Sequence, residues 1–427
     1  MTLFIFLSVL LIGILLGLPV AFSLLLAAMA LMLHLDLFSA DILGQSLING
    51  VNSFPLLAIP FFLVAGEIMS VGGLSKRIVH LATTLLGHRR GGLGYVAIFT
   101  AVLLAGLSGS AVADAAALVS ILYPMMRKAG YPEGRSLGLL ASGGIIAPVI
   151  PPSLPLILIG VAGSISIKDL FLGGIAPGLM MGITLLVVWT LMMRREDLEV
   201  LPKASGAERL VALREGFWAL LLPLIIIGGI RFGIFTPTEA AVVAAVYAIV
   251  ISTFVYRELT WRLFYQVLIS AGRATAMVMF LVGCAMVAAW LITVAQLPQQ
   301  LAEMLGPLIT QPRLLMLVIM ICVLAIGMVM DLSPTILILV PLLMPIVREA
   351  GIDEVYFGLM FVMNTSIGLI TPPVGNVLNV VCGVSRVPLS QAIKGTTPFI
   401  LAYLMLLGLF IAVPSIVTVP MNIFIGN

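Results

Sequence analysis

Four short stretches of this 427-residue sequence gather chemically useful groups within apolar surroundings: GLSGSA at 106–111, APVIPP at 147–152, GMVMDLSPT at 327–335 and GLITPPVGN at 368–376. Proline pairs remove backbone donors and leave carbonyls unpaired, while Gly, Ser and Thr let backbone and hydroxyl oxygens converge. Converging oxygens suit a hard cation such as sodium, and the N-termini of the flanking half-helices suit an anion. Two cation sites are therefore expected, the apolar residues contributing carbonyls. The first uses Ser108, Ser110, Ala147, Ile150 and Pro152; the second uses Gly327, Asp331, Gly368, Thr371 and Val374. A small anionic solute is expected between them, near Asn364, Ser366 and Asn376. The bland alternative is four helix kinks satisfied by neighbouring hydroxyls.

Ionisable residues in apolar stretches are functional candidates by default. Glu67 in LVAGEIM and Asp114 in SAVADAAA are candidates for binding a proton or a cation, or for packing and capping near the inner interface. Arg273 is a candidate for attracting an anion or, the favoured reading, for snorkelling to the cytoplasmic surface, and Arg231 and Glu239 are read as part of a scaffold or partner surface. His34, His80 and His88 lie near span ends and form no ligand cluster, and Cys284, Cys322 and Cys382 show no CxxC spacing. The sequence contains no GxxxxGK[ST] phosphate loop, no HExxH and no GxSxG, so energy is expected from an ion gradient or a partner, with no enzymatic chemistry and no resident cofactor.

Positioning those breaks requires helices in lipid. Hydrophobic residues are 62% of the chain and charged residues 9%, against about a quarter charged in soluble domains. Spans of roughly 20 apolar residues recur along the whole length, and no basic stripe suggests nucleic acid. In the register that lays Pro124 on Pro345, Gly106 also falls on Gly327, Arg127 on Arg348, Gly130 on Gly351, Pro151 and Pro152 on Pro372 and Pro373, and Pro177 on Pro398. That is an internal duplication. Loops of the first copy carry Lys76, Arg77, Arg89, Arg90, Arg127, Lys128 and Arg135. Those of the second carry Arg313 and Arg348, offset by Glu303, Glu349, Asp353 and Glu354. Basic loops stay cytoplasmic, so the copies are inverted.

The expected fold is an all-α polytopic membrane protein built on an inverted repeat, with two re-entrant hairpins (95–126 and 313–347) and two broken transmembrane helices (136–163 and 356–382). Its parts are an N-terminal scaffold span within 1–51 (crossing at 3–33), a first repeat over 52–193, a cytoplasmic linker over 194–216, a scaffold hairpin over 217–262 and a second repeat over 263–427. The N-terminus is expected in the cytoplasm and the C-terminus in the periplasm.

The stretches SFPLLAIPFFLVAGEIM, GLSGSAVADAAAL, ASGGIIAPVIPPS, FTPTEAA and GLITPPVGNVLNV, in this order, resemble the large membrane subunit of tripartite ATP-independent periplasmic (TRAP) transporters. The resemblance covers essentially the whole chain. It implies an inner-membrane, sodium-coupled symporter of elevator type, with sodium at the hairpin and crossing breaks; Ala147 stands where that family commonly has Gly, and a carbonyl ligand survives the change. It also implies a periplasmic solute-binding protein and a small membrane subunit, here a separate chain, as partners within membrane lipid. The implied substrate is a small carboxylate of the sugar-acid (diketogulonate), dicarboxylate or sialic acid type. The rival is a stand-alone ion-coupled anion carrier of similar architecture, and a more distant one is a membrane scaffold without ion dependence.

Overall fold

The computed structural model describes residues 2–194, 196 and 201–426, and every regular element among them is helical. Seven of these helices are long and apolar enough to cross a membrane. The chain opens with α1 (Thr2–Leu15), α2 (Val20–His34) and α3 (Ala40–Val51). A short 3-10 turn over Phe54–Leu57 leads into α4 (Ala58–Val71), followed by the amphipathic α5 (Leu74–Leu86). Then come hairpin 1, made of α6 (Gly92–Ser108) and α7 (Ala111–Lys128), the broken crossing of α8 (Glu133–Gly144) and α9 (Leu154–Gly163), and the span α10 (Ile167–Met193). Between the repeats stand α11 (Gly206–Arg231) and α12 (Pro237–Val250), which ends in a π turn at Ile251–Val255. The second half has α13 (Trp261–Val294), α14 (Leu297–Ile309), hairpin 2 made of α15 (Pro312–Gly327) and α16 (Leu332–Glu349), the broken crossing of α17 (Glu354–Gly368) and α18 (Asn376–Ser385), the span α19 (Leu389–Ala412), and α20 (Ser415–Ile425).

The duplication is visible element by element. In the register of Pro124 on Pro345, the bounds of α7 coincide with those of α16, and both crossings carry a cis Pro–Pro peptide at matching positions, Pro151–Pro152 and Pro372–Pro373. The continuous α13 corresponds to α3, the 3-10 turn and α4 together. The first copy is interrupted there because Pro55 cannot donate into a helical ladder. The copies also pack reciprocally, α7 on α18 and α16 on α9, as two-fold related units do.

The hairpins open on opposite faces. The C-terminal end of α7 lies beside that of α18, where Arg127 and Lys128 meet Val384 and Ser385. The C-terminal end of α16 lies beside that of α9, where Arg348 Nη2 donates to the Gly163 carbonyl at 2.9 Å. α8 begins at the base of hairpin 1, through the Arg127–Glu133 ion pair, and α8 and α9 do not run side by side. The crossing therefore carries the chain from one hairpin base to the other, which is the inverted arrangement.

Three expectations are corrected. The single crossing at 3–33 is a pair of short helices, α1 packed on α2, because Gly17 takes a positive φ of 81° and Pro19 follows it. At about 1.5 Å per residue each helix is roughly 21–22 Å long, short of the hydrocarbon thickness. This hairpin reverses the N-terminus: Thr2 Oγ1 lies 3.4 Å from Gln300 in α14, on the face where hairpin 2 opens. The C-terminus lies on the same face, with Tyr356 Oη donating to the Phe410 carbonyl at 2.9 Å and Arg231 to that of Ile423 at 3.2 Å. The two termini thus share a face instead of lying on opposite ones. The linker over 194–216 falls partly on residues 195 and 197–200, outside the described residues. Its second part is already helix, because Ser205 and Glu208 form a capping box that starts α11 at Gly206. The final α20 was not anticipated; Val417 and Met421 bury its inner face against α10.

Candidate functional site

All four breaks meet. A cavity of about 300 Å³ is lined by Gly109 and Ser110 from the tip of hairpin 1, Pro148 and Leu154 from the first crossing, Asp331 and Ser333 from hairpin 2, and Leu369 and Asn376 from the second crossing. Each tip is held against the crossing of its own copy by backbone approaching backbone. At hairpin 1, Gly109 has a φ of 62°, and a side chain there would sit 2.8 Å from Ser153 Cα and 2.9 Å from the Pro152 carbonyl oxygen. At hairpin 2, a Cβ on Gly368 would lie 2.6 Å from the Gly327 carbonyl carbon. Glycine is the residue these approaches admit.

In the first expected site, the Ser110 N–H donates to Ser108 Oγ at 3.1 Å, and Ser108 Oγ donates to the Asp114 carboxylate. Pro151 and Pro152 bring their carbonyls to the tip, with the Pro151 oxygen at 3.5 Å from where a Gly106 Cβ would be. Ala147 and Ile150 are buried in the same turn. Ser153 closes that turn by donating to the Pro148 carbonyl at 2.5 Å, a role with no counterpart in the motif reading.

In the second site, Gly327 and Gly368 touch, the Gly375 N–H reaches the Met328 carbonyl at 3.3 Å, and Thr371 Oγ1 donates to the Ile367 carbonyl at 2.7 Å, leaving its lone pairs free to accept. The carbonyl of Val374 accepts from Asn379 Nδ2 at 3.0 Å. Asp331 caps α16, its carboxylate accepting the Leu332 N–H at 2.8 Å while it faces the cavity.

Of the three residues expected at the solute, Asn376 lines the cavity and the other two do not. Asn364 is fully buried, with Nδ2 on the Met320 carbonyl at 2.6 Å, and Ser366 is buried with its hydroxyl on the Val362 carbonyl at 2.7 Å. Both face helix packing because they fall on turns of α17 above its break. Ser333 was missed. Its repeat counterpart is Val112, so the duplication carried no signal for it.

Asp114 and Glu67 line a second cavity of about 280 Å³ on the other side of hairpin 1, against α4. Asp114 is buried, and its second carboxylate oxygen has no hydrogen-bond partner. Glu67 accepts from Ser270 of α13 at 3.0 Å. Ser108 and Ser110 line both this cavity and the first site, so Asp114 stands directly behind the tip.

Residues 7–416 match the family described as the tripartite ATP-independent periplasmic transporter, DctM component. A putative TRAP transporter large permease protein of Haemophilus influenzae is 56% identical over 422 residues, covering 99% of each chain. The 2,3-diketo-L-gulonate TRAP transporter large permease protein YiaN of Escherichia coli is 54% identical, again with 99% of each chain covered. Among solved structures, the YdaH transporter of Alcanivorax borkumensis superposes with a TM-score of 0.66 over 89% of this chain and 91% of its own, at 17% identity, which is a likeness of fold.

Proposed function

The chain belongs to the DctM component family, the large membrane subunits of tripartite ATP-independent periplasmic transporters, and on that premise we propose that it imports a small carboxylate with sodium by an elevator movement of the two hairpins and broken crossings. The observation that carries this reading is the single cavity lined by all four breaks. Unpaired backbone is tolerated at membrane depth where it lines such a cavity, and the tips of both proposed cation sites border it.

Sodium is held in this reading by the Ser108, Ser110, Ala147, Ile150 and Pro152 set and by the Gly327, Asp331, Gly368, Thr371 and Val374 set. Each set needs negative charge to offset the dehydration of the ion. Asp331 supplies it at the second site. Asp114 supplies it at the first, since a buried carboxylate oxygen without a partner is costly until a cation or donor reaches it. The substrate carboxylate lies near Asn376 and Ser333, at the N-terminal ends of α18 and α16, where orphan N–H groups favour an anion. A sugar acid of the diketogulonate kind is the favoured substrate, in line with the name of the Escherichia coli relative.

A periplasmic solute-binding protein and a separate small membrane subunit complete the machine. The base of hairpin 1 faces the cytoplasm, because Lys76, Arg89, Arg90, Arg127 and Lys128 gather on that face. Hairpin 2 and both chain ends face the periplasm. Uptake of radiolabelled 2,3-diketogulonate into proteoliposomes tests the reading. It should require a sodium gradient, the small subunit and the binding protein together. Uptake by this chain alone favours the stand-alone carrier, and sodium-independent uptake ends the proposal.

A further inference from the structure

The two copies of the repeat treat one seam differently. In the second copy the base of α16 is closed onto α9. Arg348 reaches the Gly163 carbonyl at 2.9 Å and pairs with Glu354 at 2.8 Å, and a Gly163 Cβ would already touch Val340 at 3.1 Å. In the repeat register Arg127 stands for Arg348, Glu133 for Glu354 and Val384 for Gly163. Here Arg127 turns to Glu133, at 3.1 Å, and a groove of about 730 Å³ stays open between α7 and α18.

Two substitutions between the copies change the chemistry of this groove. Tyr123 replaces Met344 of the other copy, and Lys128 replaces Glu349. The Tyr123 side chain is more than nine-tenths buried and lines the groove, and its hydroxyl, beside the Glu133 carboxylate, is left without a hydrogen bond of good geometry. Lys128 is exposed at the rim and makes no ion pair among the described residues, while Arg127 is half engaged, since Glu133 competes for it. Ser120 and Ser385 add hydroxyls along the walls, and Val384 contributes apolar surface. The open seam thus offers two cations and an unsatisfied donor above an apolar floor, where the other copy has a closed contact and an acid.

We infer that this groove binds the phosphate headgroup of an anionic phospholipid of the cytoplasmic leaflet, with the phosphate at Lys128 and Arg127, the Tyr123 hydroxyl donating to it, and an acyl chain lying along Val119, Pro124 and Val384. A free phosphate would leave that apolar floor uncovered, whereas a lipid covers it. The assignment to the cytoplasmic leaflet rests on the orientation proposed above. A bound lipid wedges α7 against α18, the contact that holds hairpin 1 of one copy to the crossing of the other.

The test uses the full chain with its small membrane subunit in nanodiscs of phosphatidylglycerol and phosphatidylcholine in equal parts, followed by detergent extraction and native mass spectrometry of retained lipid. The intact protein should retain phosphatidylglycerol over phosphatidylcholine. Neutralising both cations, in Arg127→Gln/Lys128→Gln, should lower retention by about 25-fold, roughly fivefold per charge. Tyr123→Phe, which keeps the ring and the packing, should lower it about tenfold, the loss of a hydrogen bond to a charged group. Lys203→Gln, a basic residue of the linker, should leave it unchanged. Wild-type retention in both Tyr123→Phe and the double variant overturns the site, as does displacement of the lipid by millimolar inorganic phosphate, which would make a free anion the occupant. Lipid retention is read without transport, so its failure leaves the proposed uptake standing, and failure of uptake leaves the lipid result standing.

Discussion

The contact between Gly368 and Gly327 allows the proposed second sodium site to be tested with a single methyl group. A Cβ on Gly368 would lie 2.6 Å from the Gly327 carbonyl carbon, 2.7 Å from its oxygen and 2.9 Å from its Cα. These are backbone atoms that no rotamer change can remove, so hairpin 2 must retreat by about 0.8 Å to reach ordinary contact at 3.4 Å. Overpacking of this kind costs about 1–3 kcal/mol, against a gain of up to about 1 kcal/mol for replacing glycine by alanine at a helical position. The reciprocal change, Gly327→Ala, meets Thr365 Cα at 3.4 Å and Gly368 Cα at 3.7 Å, which is ordinary contact. Both glycines end their helices, α15 and α17, so helix propensity treats them alike while the geometry does not. Gly368→Ala should lower the thermal midpoint of the purified protein by a few degrees and blunt its stabilisation by sodium, and Gly327→Ala should leave both as they are or improve them. Unfolding with and without sodium, followed by intrinsic fluorescence, reads both quantities. Equal midpoints and equal sodium shifts in the two variants would refute the claim that this backbone contact shapes an ion site.

Thr371→Val keeps the volume and removes the hydroxyl proposed to accept at the second site; the sodium concentration for half-maximal uptake should rise severalfold, and an unchanged value removes Thr371 from the site. Asp114→Asn removes the charge assigned to the first site and should raise the same quantity at least tenfold, with the carrier still inserted and monodisperse; unchanged sodium dependence assigns Asp114 to packing. Lys128→Cys and Glu349→Cys occupy matching positions of the two copies. In a background free of Cys284, Cys322 and Cys382, an impermeant maleimide should label Lys128→Cys from the cytoplasm and Glu349→Cys from the periplasm, and labelling of both from one side contradicts the inversion.

Much of this molecule was legible because a duplicated sequence is read twice. The hairpins and broken crossings sit at the expected stretches, since Pro151–Pro152 and Pro372–Pro373 interrupt otherwise uniform apolar runs and the flanking motifs repeat in register. Where that second reading is missing, expectation and structure part. In the repeat register α1 and α2 fall on the end of α11 and on α12, but Gly17 and Pro19 meet Thr238 and Ala240, so no repeated motif marked the turn inside an apolar run of the right length for one span. Apolar composition measures how much of a helix faces lipid, not whether the chain reverses inside it. Asn364 and Ser366 lie off the cavity for a related reason. Polar residues near a break suggest a binding surface, but the helical period decides which way they point; here the Ser366 hydroxyl and the Asn364 amide nitrogen bond carbonyls within the packing, while Asn364 Oδ1 is buried without a partner. Asn376 follows its break, at the first turn of α18, and so reaches the cavity.

The same comparison explains why the two proposed cation sites need not be equivalent. In the first copy the charge lies behind the tip, on Asp114, four residues past the cap at Ser110 and buried against α4. In the second it lies at the tip itself, on Asp331, the cap of α16, and faces the shared cavity. A cation at Asp331 sits where an anionic solute would otherwise meet a bare carboxylate, so its binding must favour the solute through direct neutralisation over a few ångströms. A cation at Asp114 is screened from the cavity by the serines of the tip. It acts instead on the contact between hairpin 1 and α4, the surface along which a moving hairpin would slide. Symmetric backbone thus carries asymmetric charge, and in the proposed mechanism one site would be coupled to solute binding and the other to the interface that the movement would break.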